Sequence, residues 1–453
     1  MSKFNAEELS DFARYYGFHY DTINPQSMIE EILIEMKRGL EGKSSSLHMI
    51  PSYITPVAHI HSGKTVLALD AGGTNLRASL VEFNENGEAV THGINKTSMP
   101  GTNGYVTAEQ FFDKFADTAL PLIKDKKIDG IGFTFSFTTE ITSDAEGICL
   151  VLSKECDAPE VIGKPLGAGL RDALARKGYK YNGPIVVLND TTATLLSGLA
   201  SISPDGSPSA KNTNDFCAKP GPVIGFILGT GFNTAYPEGC IPKIGYKNCE
   251  SPQIIVCESG IFNVRNLGIL DREFDNTTKN PGSHILEKTT AGGYLGPLTL
   301  HILKQAVKDK VLCFARSNEL ESMTHLETIA LNEFISAPLC AKGQLGSLFA
   351  ANEGDSAAAL QFIASIISER AAIFSAAVLA ATVKKMNVAL KPFSPVRIAV
   401  EGTTFMLYKG KRRSIEARLH QMLTANKPIP YVISPVEQAS LFGAAVAALT
   451  KKN

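Results

Sequence analysis

The spacing of hydrophobic positions changes along this chain, and each change marks an element. Asn5, with Glu8 three residues on, opens a helix on which Leu9, Phe12, Ala13 and Tyr16 recur at helical spacing until Gly17. Asn24-Pro25 starts a longer one, where Ile29, Ile32, Leu33, Met36 and Leu40 form a single apolar stripe that should end near Gly42. From Thr65 the period shortens. Val66-Leu67-Ala68-Leu69-Asp70 predicts a buried strand, Ala71-Gly72-Gly73-Thr74-Asn75 a tight turn, and Leu76 to Phe83 a returning strand. Thr107 and Gln110 have capping-box spacing ahead of a helix carrying Phe111, Phe112, Phe115 and Leu120. Gly130 to Phe137 predicts another buried strand, with Ser136 as a polar group near its end. A short helix from Leu166 to Ala175, ended by Gly178, a strand Ile185 to Leu188 and a helix Thr191 to Leu199 complete an alternating β/α pattern.

Residues 201–221 are rich in Ser, Pro, Asn, Asp and Gly and predict an exposed connection between domains. Beyond it a strand from Val223, the turn Gly229-Thr230-Gly231 and a second strand through Thr234-Ala235-Tyr236 repeat the arrangement of residues 65–83, which suggests an internal duplication. Ala357 to Lys385 is alanine-rich and apolar on most sides, predicting one buried helix or two with a small break. Val396 to Thr404 is a third strand followed by a glycine turn. The strand Tyr431-Val432-Ile433 and a small-residue helix through Gly443-Ala444-Ala445-Val446 end the chain.

Composition narrows the class. A length of 453 residues implies two or three domains, and 44% hydrophobic with 20% charged residues is ordinary globular usage. A net charge of −1 gives no reason to expect nucleic acid or an anionic membrane as partner. Met1 to Glu8 is too polar and acidic for a signal peptide, and no uninterrupted apolar run is long enough for a bilayer, so a soluble, cytoplasmic protein is expected. The eight cysteines form no CxxC pair and no Cys/His metal spacing, which predicts reduced structural thiols. Ser62-Gly63-Lys64-Thr65 precedes a strand rather than a helix, and Ala58 stands where a P-loop needs glycine, so it is no Walker A motif.

The chemistry concentrates between Ile185 and Asn233. Asp190 ends an apolar strand, where side chains leave a sheet and enter a crevice, a position suited to taking a proton. Gly229-Thr230-Gly231 lets backbone N–H groups approach an anion closely. A base facing a phosphate cradle is the layout of a phosphotransferase. Asp190 could instead simply cap the helix that follows it.

With these motifs in hand the chain resembles the hexokinase family, from about Met36 to its end. The likeness rests on Leu67-Ala68-Leu69-Asp70-Ala71-Gly72-Gly73-Thr74-Asn75-Leu76-Arg77, Gly132 to Phe137, Leu188-Asn189-Asp190-Thr191, Gly229 to Asn233, and Glu287-Lys288 followed by Gly293-Tyr294-Leu295-Gly296. Weaker echoes include Met49 to Tyr53, Asn280-Pro281-Gly282 and Glu401-Gly402-Thr403. The resemblance implies an α/β, two-domain actin-like (ribonuclease-H-type) fold with a mixed, helix-flanked sheet in each domain and a cleft between them. Residues 1–60 would be N-terminal helices packing on the large domain, 61–200 the small domain, 201–435 the large domain, and 436–453 a helix returning towards the small one.

It also implies roles. Asp190 would be the general base that draws the proton from a sugar 6-hydroxyl during attack on ATP, in the first step of glycolysis, with Lys154 as its catalytic companion. Ser136, Ser153, Lys154, Asn189, Asn233, Glu258 and Glu287 would hold the hexose. Asp70, Gly72, Gly73, Thr74, Asn75, Gly229, Thr230, Gly231, Gly402, Thr403 and Gly443 would line the nucleotide. ATP and Mg²⁺ are implied, the metal held by ATP and water with no direct side-chain ligand, Asp70 acting through water. Glu258 and Glu287 could otherwise be solvated carboxylates, and Arg77 either neutralises phosphate charge or serves as a packing and salt-bridge residue.

The sequence also departs from the family pattern. Thr138 replaces the usual proline, Val151-Leu152-Ser153-Lys154-Glu155 keeps a hydroxyl and an ammonium but no tryptophan, Val256-Cys257-Glu258-Ser259-Gly260 lacks one too, and Ala439 to Gly443 has lost glycines. The preferred hexose and the nucleotide contacts therefore stay open. Alternatives are a kinase for another sugar such as an N-acetylhexosamine or a ketose, a catalytically impaired sugar sensor, and an actin-like ATPase. Small-molecule substrates and a monomer or homodimer are expected.

Overall fold

The computed structural model describes residues 4–56, 62–85, 89–152, 156–200, 221–265, 267–338, 340, 342–386, 395–425 and 428–450. Two helices open the chain, α1 (Ala6–Tyr15) and α2 (Pro25–Leu40). Their starts follow from local chemistry: Asn5 Oδ1 accepts from the backbone N–H of Glu7 and Glu8, and Asn24 Oδ1 from that of Ser27. A two-residue strand follows, β1 (Ile50–Pro51).

The first sheet contains β2 (Lys64–Ala71), β3 (Asn75–Phe83), β4 (Ala89–Ser98), β5 (Gly130–Phe135) and, after a hairpin of β6 (Thr138–Ile141) with β7 (Gly147–Val151), β8 (Ile185–Leu188). Its order is β4-β3-β2-β5-β8, with β3 antiparallel to β2 and both β5 and β8 running parallel. Alternation along β2 decides what covers each face. Leu67 and Leu69 join the core under α3 (Ala108–Ile123) and α4 (Leu166–Arg176), while Val66 and Ala68 face the other way. The capping box of Thr107 with Gln110 forms as expected.

The second half begins with α5 (Asp190–Ala200), β9 (Val223–Leu228) and β10 (Phe232–Glu238), continues through a small ribbon of β11 (Cys240–Ile241) with β12 (Tyr246–Lys247), and reaches β13 (Gln253–Val256). A helical stretch follows: α6 (Ile269–Thr277), α7 (Ile285–Thr290), α8 (Gly292–Lys308), α9 (Ser317–Ser322), α10 (Thr328–Ser336) and α11 (Gly354–Lys385). Then come β14 (Val396–Glu401), α12 (Thr403–Leu407), α13 (Lys411–Thr424), β15 (Tyr431–Pro435) and α14 (Ala439–Thr450). The second sheet is ordered β1-β13-β10-β9-β14-β15. Leaving aside the edge strand β1, each sheet reads third, second, first, fourth, fifth in chain order, with an antiparallel meander on one side and parallel strands on the other. The duplication suggested by the two strand, glycine turn, strand units thus extends to the whole sheet. This is the two-domain actin-like, ribonuclease-H-type architecture.

The structure decides one alternative that the sequence left open and changes two expectations. Ala357 to Lys385 lies in one uninterrupted helix of 32 residues, apolar all round because α2, α8 and α13 enclose it. Length and apolarity alone would let α11 cross a bilayer, yet 78% of its most apolar stretch is buried inside the protein. Strand β5 stops at Phe135, leaving Ser136 in the bend before β6. Helix α5, assigned to the small domain from its place in the chain, packs on β9 and β14 of the second sheet. The expected connection at 201–221 falls, but for its last residue, outside the described residues.

Helices α5 and α14 lie between the two sheets, α5 on β9 and α14 on β2 and β5, and they pack on each other. Glycines permit this. A Cβ at Gly225 of β9 would overlap the Thr191 carbonyl oxygen of α5, one at Gly132 of β5 that of Ala444, and one at Gly443 that of Ala193. Gly443, expected beside the nucleotide, lies at a buried helix-to-helix contact. Gly443→Ala should lower unfolding free energy by about 1–3 kcal/mol through overpacking. The same change at an exposed helical site would add about 1 kcal/mol of stability. Urea denaturation followed by circular dichroism checks this, and equal or higher stability would contradict the packing reading.

Candidate active site

Asp190 is the first residue of α5, placed where β8 gives out. The capping role belongs to its neighbour: Asn189 Oδ1 accepts the Thr191 backbone N–H at 2.8 Å. The Asp190 carboxylate is thereby left to the cleft, where Ser136 Oγ donates to Oδ2 at 2.7 Å and Thr191 Oγ1 to Oδ1 at 3.2 Å. Burial pushes the Asp190 carboxyl above its ordinary value. The Ser136 hydrogen bond opposes that and the charge of Asp70 adds to it.

The expected sugar carboxylates gather on the other side. Glu258 sits in the left-handed region, φ 56°, between β13 and a single helical turn. Its Oε1 accepts from Asn233 Nδ2 at 3.1 Å, and Asn233 Oδ1 is in turn fixed by the backbone N–H of Thr234 and Ser259. Glu287, on α7, accepts the Phe232 backbone N–H at 3.0 Å, and its carboxylate lies where a Cβ at Gly231 or Gly260 would crowd it. Neither glutamate is a solvated surface residue: burial pushes each up to about 7. The Asn233 and Phe232 hydrogen bonds respectively oppose the shift, and Asp190 repels both. Ser153 and Lys154 lie outside the described residues.

The glycine turns are arranged for backbone contact. The Gly72 N–H closes the first turn on the Asn75 carbonyl at 2.9 Å, Asn75 Nδ2 donates to Thr74 Oγ1, and around Gly73 nothing stands within 4 Å of where a Cβ would be. In the second turn Gly229 N–H bonds the Gly231 carbonyl, while the carbonyls of Gly229 and Thr230 accept from Gly292 and Gly293 at the start of α8. Gly402, with φ 129°, presses on the Leu228 carbonyl, and Thr404 Oγ1 donates to the Gly229 carbonyl at 2.8 Å. Asp70, at the end of β2, is almost fully buried, hydrogen-bonded by Thr134 at 3.0 Å and ion-paired with Arg77, one of the two roles open to that arginine. Among the described residues no three His, Cys, Asp or Glu side chains group into a metal cage.

Thr134, Thr404 and Glu401 take part without having been singled out. Thr134 and Thr404 gave no signal beyond lying in apolar or small-residue strings, whereas Glu401 could have been found, since it ends a strand before a glycine as Asp70 does. Because Glu258 and Glu287 titrate near 7 when folded and near 4.5 when unfolded, the unfolded chain ionises first as pH rises, and folding stability falls between those values. Glu287→Gln should therefore raise the melting temperature of the sugar-free protein by about 2 °C or more at pH 8 and change it little at pH 5. A gain confined to pH 5 would contradict this.

Two domain profiles of the hexokinase family match the chain, one over residues 11–200 and the other over 223–450. Hexokinase-2 of Candida albicans is 27% identical over 455 residues, covering 94% of this chain and 89% of that protein. Hexokinase-1 of Schizosaccharomyces pombe is 29% identical, covering 93% and 87%. Against hexokinase-3 of Rattus norvegicus the identity is 28%, and the match spans 88% of this chain but only 42% of that longer protein. In fold, the chain superposes on a hexokinase from Schistosoma mansoni complexed with glucose with a TM-score of 0.78 at 22% identity, over 99% of this chain and 100% of the other. With both profiles matched in sequence and the same duplicated architecture, this chain belongs to the hexokinase family.

Proposed function

We propose that the protein is an ATP-dependent hexokinase that transfers the γ-phosphoryl group to the 6-hydroxyl of D-glucose or a related hexose. The observation that carries this reading is the Asp190 carboxylate, freed from capping by Asn189, steadied by Ser136 and raised in pKa by burial. An unperturbed aspartate, with a pKa near 4, is a weak base, and burial moves it towards the task.

In this reading the sugar hydroxyls donate to Glu258 and Glu287, and the amides of Asn189 and Asn233 complete the set of donors and acceptors that a hexose needs. The family resemblance adds Ser153 and Lys154 to the sugar contacts. Asp190 takes the 6-hydroxyl proton as that oxygen bonds to the γ-phosphorus and the bond to the β-phosphate oxygen breaks, leaving ADP. The donor set fits a nucleotide-borne magnesium ion: one carboxylate, Asp70, held in place by Thr134 and Arg77, would face the water shell of Mg²⁺. Such an ion, when bound, would neutralise charge on the triphosphate. The Gly72 and Gly229 N–H groups close the two turns, so those of Gly73, Thr74, Thr230 and Gly231 would donate to phosphate oxygens, with Thr403 towards the adenosine. Closure of the two domains would exclude water from the transfer.

Asp190→Ala should cut hexose phosphorylation by roughly 10²-fold or more, while glucose affinity, measured by calorimetry, stays within a few-fold of the parent. Full turnover in that variant would refute the base assignment. ADP release assayed against a panel of hexoses tests the activity itself. Sugar-dependent release supports the kinase, sugar-independent release would indicate an ATPase, and no release would indicate a sensor.

A further inference from the structure

Glu401 has no role in the reading above, yet its surroundings are unusual. It is the last residue of β14, in the second sheet, and its side chain crosses to the start of α14, whose body lies on the first sheet. There Oε2 accepts two hydrogen bonds, from the Ser440 backbone N–H at 3.1 Å and from Ser440 Oγ at 2.9 Å. The N–H groups of a helix's first turn have no partner within the helix and carry partial positive charge. A carboxylate from the other domain thus supplies what a local cap would ordinarily supply.

The next residues lead directly to the phosphate turn. Gly402 abuts the Leu228 carbonyl, and Thr404 Oγ1 holds the Gly229 carbonyl. A short covalent and hydrogen-bonded path therefore runs from α14 through Glu401 and Gly402 to Gly229-Thr230-Gly231. Burial pushes the Glu401 carboxyl up to about 7, with the Ser440 side-chain hydrogen bond and Arg77 opposing and the charges of Asp70 and Asp190 adding to the shift.

We propose that Glu401 is a positioning residue: through Ser440 it ties the small-domain helix α14 to the large-domain phosphate turn, so that the backbone cradle is set for ATP by the relation of the two domains. The proposal deepens the kinase reading and rests on it, but it concerns geometry rather than charge. A carboxylate near the triphosphate repels it. Removing the charge alone should leave ATP binding intact or tighter, while removing the reach should weaken it.

The test is calorimetric binding of the non-hydrolysable analogue AMPPNP with magnesium, in the presence of glucose, to the full chain. Glu401→Gln, which keeps both acceptor bonds, should bind within threefold of the parent or more tightly. Glu401→Ala should bind about tenfold more weakly, Ser440→Ala at least threefold more weakly, and the double variant no more weakly than Glu401→Ala. Glucose affinity should stay within twofold throughout, with melting curves confirming that each variant is folded. The proposal is overturned if the two single losses multiply in the double variant, if Glu401→Gln loses as much as Glu401→Ala, if Glu401→Ala loses nothing, or if glucose affinity falls in step. Hexose-dependent ADP release by the parent chain tests the kinase reading separately, since the analogue experiment requires no turnover.

Discussion

Two packed sheets can share one cleft only if something joins them without filling the space between, and here that is the backbone-close contact of α5 with α14. Side chains of ordinary size would hold these helices apart. Gly225, Gly132 and Gly443 remove the obstacle at the sheet-to-helix and helix-to-helix contacts. The same contact fixes where the chemistry stands: the N-terminus of α5 carries Asp190, and that of α14 carries Ser440, which meets Glu401. A small shift in this helix pair would move both ends of the cleft at once.

The second organising feature is electrostatic. Asp70, Asp190, Glu258, Glu287 and Glu401 crowd one region, and among the described residues Asp70 is the one of the five in a salt bridge, with Arg77. Burying unpaired carboxylates costs stability, and the raised pKa values record that cost. Such sites persist where a ligand supplies the missing partners, as the hydroxyls of a sugar would under the proposed function. Structural ion pairs are built differently: Arg370 and Asp271, both buried, meet through two hydrogen bonds of 2.6 Å each.

Much of this was legible in the sequence because local chemistry dictated it. The caps at Asn5, Asn24 and Thr107, the strand, glycine turn, strand units and the Asn189-Asp190 pair all announced their elements. What could not be read was non-local. That Asn189 rather than Asp190 caps α5 depends on side-chain orientation, and that α5 belongs on the second sheet depends on Gly225 lying opposite it. Gly443 looked like part of a worn glycine-rich nucleotide motif, but the requirement at that position comes from Ala193, some 250 residues earlier in the chain. The β4 edge strand, with no buried position to give it a period, and the helices from α6 to α10 were missed, the latter because their burial is decided by partners far away in sequence.

Under the proposed function Asp190 is a base whose affinity for a proton is raised by burial and restrained by Ser136. The most direct measurement is the acid limb of kcat/KM against pH for the parent chain and for Ser136→Ala. The account predicts a limb above the usual aspartate value near 4, moving to still higher pH when the Ser136 hydroxyl is removed, because that hydrogen bond favours the ionised form. A limb at or below 4, or one that Ser136→Ala leaves in place, would contradict it.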